Sequence, residues 1–396
     1  MRILFVSPNL DTRPSSGGVQ RTVLMLDQLR RMGGVDCFFL PPENPQQAIL
    51  DEIHAKSGKH FIVPTSQISN ASNGVVTAWL NAGRWRWEPF SPANKQVGDL
   101  SRYDLVVSRY LSPACILNLF RHPRLLIDVD DYDPDRLRQR ISTAGWFKRL
   151  TLKRCLRYSE EAHRNLLPRT AHCWVSNPSD CRHPGLSRAT VLPNIPYFPH
   201  GLPELSPLPS ASHPLVFLIV GTLSYSANSD GIDAFLRVAW LSLRAQAPNV
   251  ELHIVGQGMS VSQRKRWSSF PGVKPIGFVE SLAESYARCT ATLAPILAGG
   301  GTNIKVLESS AYGRPCVVSR VAHRGFEQTL PDGEACLKAE RISEMVRPCL
   351  RLIRDPDLAL RMGTAARHAI EHHYTTDKFN AAVRDGCGIT LGKRVL

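Results

Sequence analysis

Short apolar runs alternate with helical patterns along most of this chain. Ile3 to Val6 is a continuous apolar run, and a polar loop containing Gly17 and Gly18 follows it. Val23, Leu26 and Leu29 then recur at helical spacing until Gly33–Gly34 ends the pattern. Val35 to Leu40 reads as the next strand, so the chain begins strand, loop, helix, strand, the opening of an α/β parallel sheet. Leu105–Val107, Leu125–Val129, Cys173–Ser176 and Thr190–Leu192 continue as buried-type strands. Between Tyr197 and Pro214 the periodicity stops and five prolines appear, the composition of a linker. A second α/β run starts at Leu215 with LVFLIVG. It continues through a long helical pattern over Phe235–Leu243, strands at Val250–Val255, Val273–Phe278, Ala291–Ala294 and Pro315–Ser319, and a helix at Ile304–Tyr312. The fold class expected is α/β, with two Rossmann-like doubly wound domains. The first spans 1–198, a Pro-rich linker 199–213, the second domain 214–372, and a helical tail 373–396 that packs back on the first domain. Such sheets bind ligands at the carboxyl ends of their strands, so two facing sheets would present a cleft between those ends.

Composition narrows the class. The chain has 396 residues, 43% hydrophobic and 21% charged, enough for two cores and too apolar for disorder. Ten cysteines are scattered without a C-x-x-C pair, which reads as reduced thiols and matches no zinc ligand pattern. The N-terminal apolar run is too short for a signal peptide, and no apolar stretch reaches the ~18 residues of a membrane span. The expected setting is cytoplasmic. A net charge of +14 points to an anionic partner, and its distribution is uneven. From Arg136 to Arg169 there are ten Lys or Arg against two Asp or Glu, on a segment that also carries Trp146, Phe147, Leu150, Leu152 and Leu156. That is an amphipathic basic helix, read either as a solvated face or as a peripheral contact with anionic lipid on the inner face of the plasma membrane. No zinc or aromatic-interleaved motif accompanies it, which argues against nucleic acid.

The most informative stretch for chemistry is LAPILAGGGTNIKVLESSAYGRPCVVS, Leu293 to Ser319. A strand ends at Pro295, and Gly299, Gly300 and Gly301 lead into a helix whose backbone amides suit a phosphate or diphosphate. Thr302 adds a hydroxyl, Asn303 lies beside it, and Lys305 offers a point charge to a diphosphate one turn into the helix. Glu308, three residues later, can accept hydrogen bonds from two ribose hydroxyls. In the first half, Gly17–Gly18 permit close backbone approach, and Arg21 adds charge to that turn or to an exposed helix face. Asp128, Asp130, Asp131 and Asp133 follow the strand RLLID, with Asp128 and Asp130 on one face if the strand continues. They can orient an acceptor hydroxyl, act as a base, cap a helix or bind a divalent cation.

These segments together resemble the group 1 family of retaining GT-B glycosyltransferases. The family motif is Glu, seven residues, Glu, a small-residue stretch, Gly-x-Pro and an apolar strand, and Glu308, Gly313, Pro315 and Val317–Val318 match it in order. LIVGTLSYSANSDG at Leu218–Gly231, VELHIVGQG at Val250–Gly258 and VKPIGFVESLAESYARC at Val273–Cys289 resemble the preceding elements. The first motif Glu is replaced by Gly300, and the Arg and Lys that often follow the first strand are absent after Gly221–Thr222. The resemblance implies a GT-B architecture facing across a cleft, and a nucleoside-diphosphate sugar (NDP-sugar) as donor substrate, with no metal and no cofactor. It implies that Phe278 and Val279 lie by the nucleobase, that Glu308 holds the ribose and that Gly17 and Gly18 approach the donor. By substitution Lys305 takes over charge neutralisation. Asp130, with Asp128, stands where many members place a histidine facing the acceptor. The function implied is hexosyl transfer with retention to a glycan or polyprenyl-linked acceptor in bacterial cell-surface polysaccharide synthesis. A non-catalytic NDP-sugar-binding module and a sugar-nucleotide 2-epimerase of the same fold are the alternatives.

Overall fold

The computed structural model describes residues 1–9, 16–43, 59–70, 83–209, 214–299 and 301–392. Two parallel sheets organise them. The first holds β1 (Arg2–Ser7), β2 (Gly34–Phe39), β3 (His60–Ile62), β4 (Leu105–Arg109), β5 (Leu125–Asp130), β6 (His172–Val175) and β7 (Thr190–Val191), in the order β3-β2-β1-β4-β5-β6-β7. The second holds β8 (Val216–Val220), β9 (Glu251–Val255), β10 (Val273–Gly277), β11 (Ala291–Ala294), β12 (Cys316–Ser319) and β13 (Cys336–Ala339), in the order β10-β9-β8-β11-β12-β13. Every pairing is parallel. Both sheets reverse their strand order beside the first strand, between β1 and β4 and between β8 and β11. That reversal is the switch point at which a doubly wound sheet leaves a crevice for a ligand. β1, β4, β5 and β8 read as near-continuous apolar runs because helices cover both faces.

The chain divides into two compact units, Met1–Tyr197 with Thr376–Leu396, and Phe198–Thr375. Each has its own core. Leu4, Val6, Phe38, Val106 and Ile127 lie in the first, and Phe217, Ile219, Leu252, Leu293 and Val317 in the second. The helix Thr376–Thr390 packs on α1 (Gly17–Met32), β5 and β6, burying Phe379, Val383 and Cys387. Gly386 lets its backbone lie on the Trp174 indole, since a Cβ there would meet Trp174 Nε1 at 2.3 Å. The prolines after Tyr197 run along the second unit. Arg367 donates to the Pro203 carbonyl at 2.8 Å and Arg314 to that of Pro207 at 3.0 Å.

The basic segment differs from a single amphipathic helix. It forms two helices, Asp133–Thr143 and Trp146–Leu166, because Gly145 takes an extended conformation with ψ of 158°. Leu152 is buried, whereas Trp146, Phe147 and Leu150 are exposed. No described helix is long and apolar enough to cross a membrane.

Candidate functional site

In the second unit, candidate residues gather at the switch point between β8 and β11. β8 is followed by Gly221, whose backbone lies against Gly256, the residue after β9. A Cβ on Gly256 would sit 1.7 Å from the Gly221 carbonyl oxygen, so only glycine fits there. Above Gly221 lie the Asn228 amide and the Lys305 side chain, which a Cβ on Gly221 would meet at 2.9 and 3.4 Å. Lys305 Nζ donates to Asn228 Oδ1 at 2.8 Å and to Asn303 Oδ1 at 3.5 Å. Asn228 Nδ2 in turn donates to the Thr222 carbonyl at 2.8 Å. The loop after β8 and the helix Ile304–Ala311 are thereby joined through one amide.

That helix places its polar residues by simple geometry. Val306, Leu307, Ser309, Ser310 and Ala311 are buried, which leaves Lys305 and Glu308 on the partly exposed face. Ser309 Oγ is 2.6 Å from Thr292 Oγ1 on β11, and Ser319 Oγ donates to the Ile296 carbonyl at 2.6 Å. These bonds hold the turn that leads to Gly299 and Gly301. Desolvation pulls the Lys305 pKa down to about 8 against the attraction of Glu308. The same Glu308 charge adds to burial in raising Tyr286 and Tyr312, whose rings stack with centroids 4.2 Å apart. Phe278 is exposed, and Val279 packs on a small cluster with Val220, Val255 and Tyr286. Gly300 lies outside the described residues.

In the first unit, a buried ionic cluster occupies the equivalent switch point between β1 and β4. Arg21 on α1 forms a bidentate pair with Asp128, at 2.9 and 2.6 Å, and also donates to the Leu192 carbonyl at 2.8 Å. Arg109, the last residue of β4, donates to Asp130 Oδ2 at 2.8 Å, to Thr22 Oγ1 at 2.7 Å and to the Gly18 carbonyl at 2.5 Å. Its Nε lies 3.0 Å from Asp128 as an ion pair without hydrogen-bond alignment. Asn194 Nδ2 reaches Asp130 Oδ1 at 3.2 Å. The register of β5 shifts between Asp128 and Asp130, and Asp130 has φ of 58°. Tyr110, next to Arg109, has φ of 67°. Two non-glycine residues in the left-handed region at adjacent strand ends mark a locally strained, over-determined site.

Burial works against both charges of this cluster, and their pairing overcomes it. The Arg21 pKa is raised because Asp128 and Asp130 outweigh desolvation, and the Asp130 pKa is lowered because Arg21 and Arg109 do the same for the carboxylate. Asp131 has no such partner. Desolvation and the neighbouring Asp130 charge push it up to about 7, against the Arg136 charge and a hydrogen bond from Ser176 at 3.3 Å.

Residues 214–355 match the family "Glycosyl transferases group 1". That stretch, within the second unit, is similar to the group 1 glycosyl transferases. No curated protein sequence matches the chain. Among solved structures the chain is similar to sucrose-phosphate synthase from Thermosynechococcus elongatus, with a TM-score of 0.67, 15% identity and 97% of each chain covered. It is also similar to Anabaena HepE in complex with UDP-glucose (TM-score 0.62, 13% identity, 97% of this chain and 98% of that one). A third is WaaG, a glycosyltransferase involved in lipopolysaccharide biosynthesis (TM-score 0.61, 15% identity, 97% and 100%). At these identities the likeness shows the fold, which is GT-B.

In the second unit the structure brings together Gly221, Thr222, Asn303, Lys305 and Glu308, with Gly301 and Thr302 on the same helix entry. Asn228 was not among the residues picked from the sequence. Its signal was its position on the first turns of the helix after β8, opposite a missing cation. Arg109 was also missed, although an arginine closing an apolar strand has to find acids. Arg21, left open as a possible exposed residue, is buried. Asp128 is fully buried with both oxygens bound by guanidinium groups, and it holds α1 on β5. A divalent cation at Asp128 and Asp130 would face those two guanidiniums, which corrects that option. One His–carboxylate group occurs among the described residues, Asp135, Asp180 and His183, with ligand atoms within 4.8 Å of one another. There His183 Nε2 pairs with Asp135 at 2.9 Å. Trp85 and Trp87 pack against the first core.

Proposed function

We propose that this protein is a glycosyltransferase that moves a hexosyl group from an NDP-sugar to a hydroxyl of a glycan or polyprenyl-linked acceptor, with retention and without a metal. The setting is bacterial cell-surface polysaccharide synthesis at the cytoplasmic face of the membrane. The observation that carries this reading is the Asn228–Lys305–Glu308 arrangement above Gly221 and Gly256. Glycine-floored strand ends let a diphosphate approach the backbone. Lys305 supplies the positive charge that a departing diphosphate needs, and Glu308 accepts from the ribose. Phe278 and Val279 face the base. Anabaena HepE is known with UDP-glucose, and TarM with UDP and alpha-GlcNAc-glycerol, which supports a nucleotide-bearing donor and a hydroxyl acceptor.

In the reaction proposed, the anomeric carbon–oxygen bond to the diphosphate breaks as the acceptor oxygen bonds to the same face. The acceptor proton passes to a carboxylate base, and the nucleoside diphosphate departs as the leaving group. Asp130 orients the acceptor hydroxyl. Asp131, at about 7, has the proton affinity of a base that Asp130 lacks.

The test is calorimetric titration with UDP-, GDP-, ADP- and dTDP-sugars, on wild type and Glu308→Ala. Micromolar binding of one donor, lost in the variant, supports the reading and names the nucleotide. Donor binding with no transfer to any lipid-linked or glycan acceptor would turn the chain into a binding module. Donor binding followed by inversion of the sugar's C2 would make it an epimerase.

A further inference from the structure

The helices Asp133–Thr143 and Trp146–Leu166 pack against one another as a hairpin closed by Ala144–Gly145. Further along, the second helix is anchored, with Leu152, Ser159, Ala162 and His163 buried. Its beginning is not anchored. All six residues from Gly145 to Leu150 are exposed, so the first turn stands clear of the unit that carries it. Trp146, Phe147 and Leu150 are 65%, 70% and 46% exposed, and the two aromatic rings lie against each other. Spaced i, i+1 and i+4, the three form one apolar tip. Large apolar side chains gathered at a protruding turn are costly in water and call for a covering partner.

The charges around the tip say which partner. Between Arg136 and Ser159 there are eight Arg or Lys residues and no Asp or Glu. Lys148, Arg149 and Lys153 are exposed within two turns of the aromatic pair. An indole and a phenyl ring beside exposed cations match the boundary between acyl chains and anionic headgroups, which offers apolar depth and phosphate charge to one convex feature without shape matching. We propose that this hairpin tip docks the protein on an anionic phospholipid bilayer. Trp146, Phe147 and Leu150 enter the interface, and Lys148, Arg149 and Lys153 sit at the phosphates. With no described helix able to cross a bilayer, attachment at this site is peripheral. The inference deepens the proposed use of a membrane-borne acceptor and rests on that reading for its purpose only.

Sedimentation of the full chain with vesicles tests it, using phosphatidylcholine alone and phosphatidylcholine mixed with phosphatidylglycerol. Wild type should pellet with the mixed vesicles and stay in solution with the neutral ones. Replacing Trp146, Phe147 and Leu150 by Ser should weaken binding at least ~10-fold. Replacing Lys148, Arg149 and Lys153 by Ala should weaken it by roughly 100-fold and abolish the preference for anionic lipid. Both variants alter exposed residues, and an unchanged circular dichroism spectrum and NDP-sugar affinity would confirm that they fold. Failure of wild type to bind mixed vesicles, or variants that bind as wild type does, overturns the proposal. So does binding to duplex DNA that weakens in the cationic variant while vesicle binding stays unchanged. Vesicle binding without any donor binding would overturn the transferase reading and leave the docking intact, so the two failures are separable.

Discussion

Lys305 sits between opposing effects, and the balance makes its charge sensitive to pH near neutrality. Desolvation lowers its pKa to about 8 and Glu308 resists the shift. The ammonium is therefore charged at pH 7 and largely neutral at pH 9. Affinity for a nucleoside diphosphate should fall across that interval in wild type and stay level in Lys305→Arg, whose guanidinium does not titrate there. Lys305→Ala should cost about 1.5–3 kcal/mol of binding, the range for a hydrogen bond to a charged group. Titration calorimetry at both pH values checks this, and a flat wild-type profile would remove Lys305 from the diphosphate. Asp131 poses the opposite case. Its pKa of about 7 lies above the ~3.9 of an unfolded Asp, so the folded state holds the proton more tightly. The associated stability is full below about pH 4 and is lost as pH rises through 7. Asp131→Asn mimics the protonated form and should match wild type only below about pH 4. Its advantage over wild type should grow between pH 5 and pH 8 by on the order of 2–3 kcal/mol, read from urea midpoints. A difference of the same size at both values would show that Asp131 does not titrate in this range. Residues such as Lys305 and Glu308 were legible in the sequence because a loop, a helix and a motif place them together. Arg109 and Asn228 were not, because what defines them is the partner across the fold.

At the scale of elements, the apolar strands were legible, since β1, β4, β5 and β8 are near-continuous apolar runs bounded by polar loops or glycine. Strands β3 and β13 were not, at three and four residues. Neither is a wholly apolar run, since β3 carries His60 and β13 Lys338, and pairing with β2 and β12 defines them. The shift in β5 was equally hidden. Alternation places Asp128 and Asp130 on one face of a straight strand, yet they converge on Arg109 through a register shift and a positive φ. Close packing between elements gives a sharper test. On the helix Ser226–Phe235, a Cβ at Gly231 would lie 2.0 Å from the Pro295 carbonyl oxygen, at the end of β11 where the glycine turn begins. Helix propensity alone favours Ala over Gly by about 1 kcal/mol. The steric conflict should reverse that, so Gly231→Ala should destabilise by about 1–3 kcal/mol. It should also weaken donor binding, because the displaced turn carries Gly299 and Gly301. A more stable variant in urea would mean that the helix and β11 do not approach this closely.

For the whole molecule, the decisive feature is that the last helix belongs with the first residues of the chain. Composition made the proline stretch after Tyr197 read as a free linker, whereas the carbonyls of Pro203 and Pro207 are bound by Arg367 and Arg314 of the second unit. Hydrogen bonds from distant guanidiniums leave no trace in local composition. The chain therefore leaves the first unit at Tyr197 and returns to it at Thr376. Ending the chain at Thr375 would strip Phe379, Val383 and Cys387 from β5, β6 and α1 and expose the Trp174 indole. Several fully buried apolar side chains at ~1.5–3 kcal/mol each are comparable with the entire stability of a domain. The truncated chain should lose the first unit's unfolding transition and keep that of the second, which has a core of its own. Ligand binding identifies which transition is which. A nucleotide at a hundred times its Kd stabilises the unit that binds it by about 2.7 kcal/mol. Calorimetric scans with and without nucleotide should show that gain in the surviving transition of the truncated chain, because Gly221, Asn228, Lys305 and Glu308 all remain. If truncation abolishes nucleotide binding while the second transition persists, then residues outside Phe198–Thr375 contribute to the donor site, and the second unit does not hold the nucleotide alone.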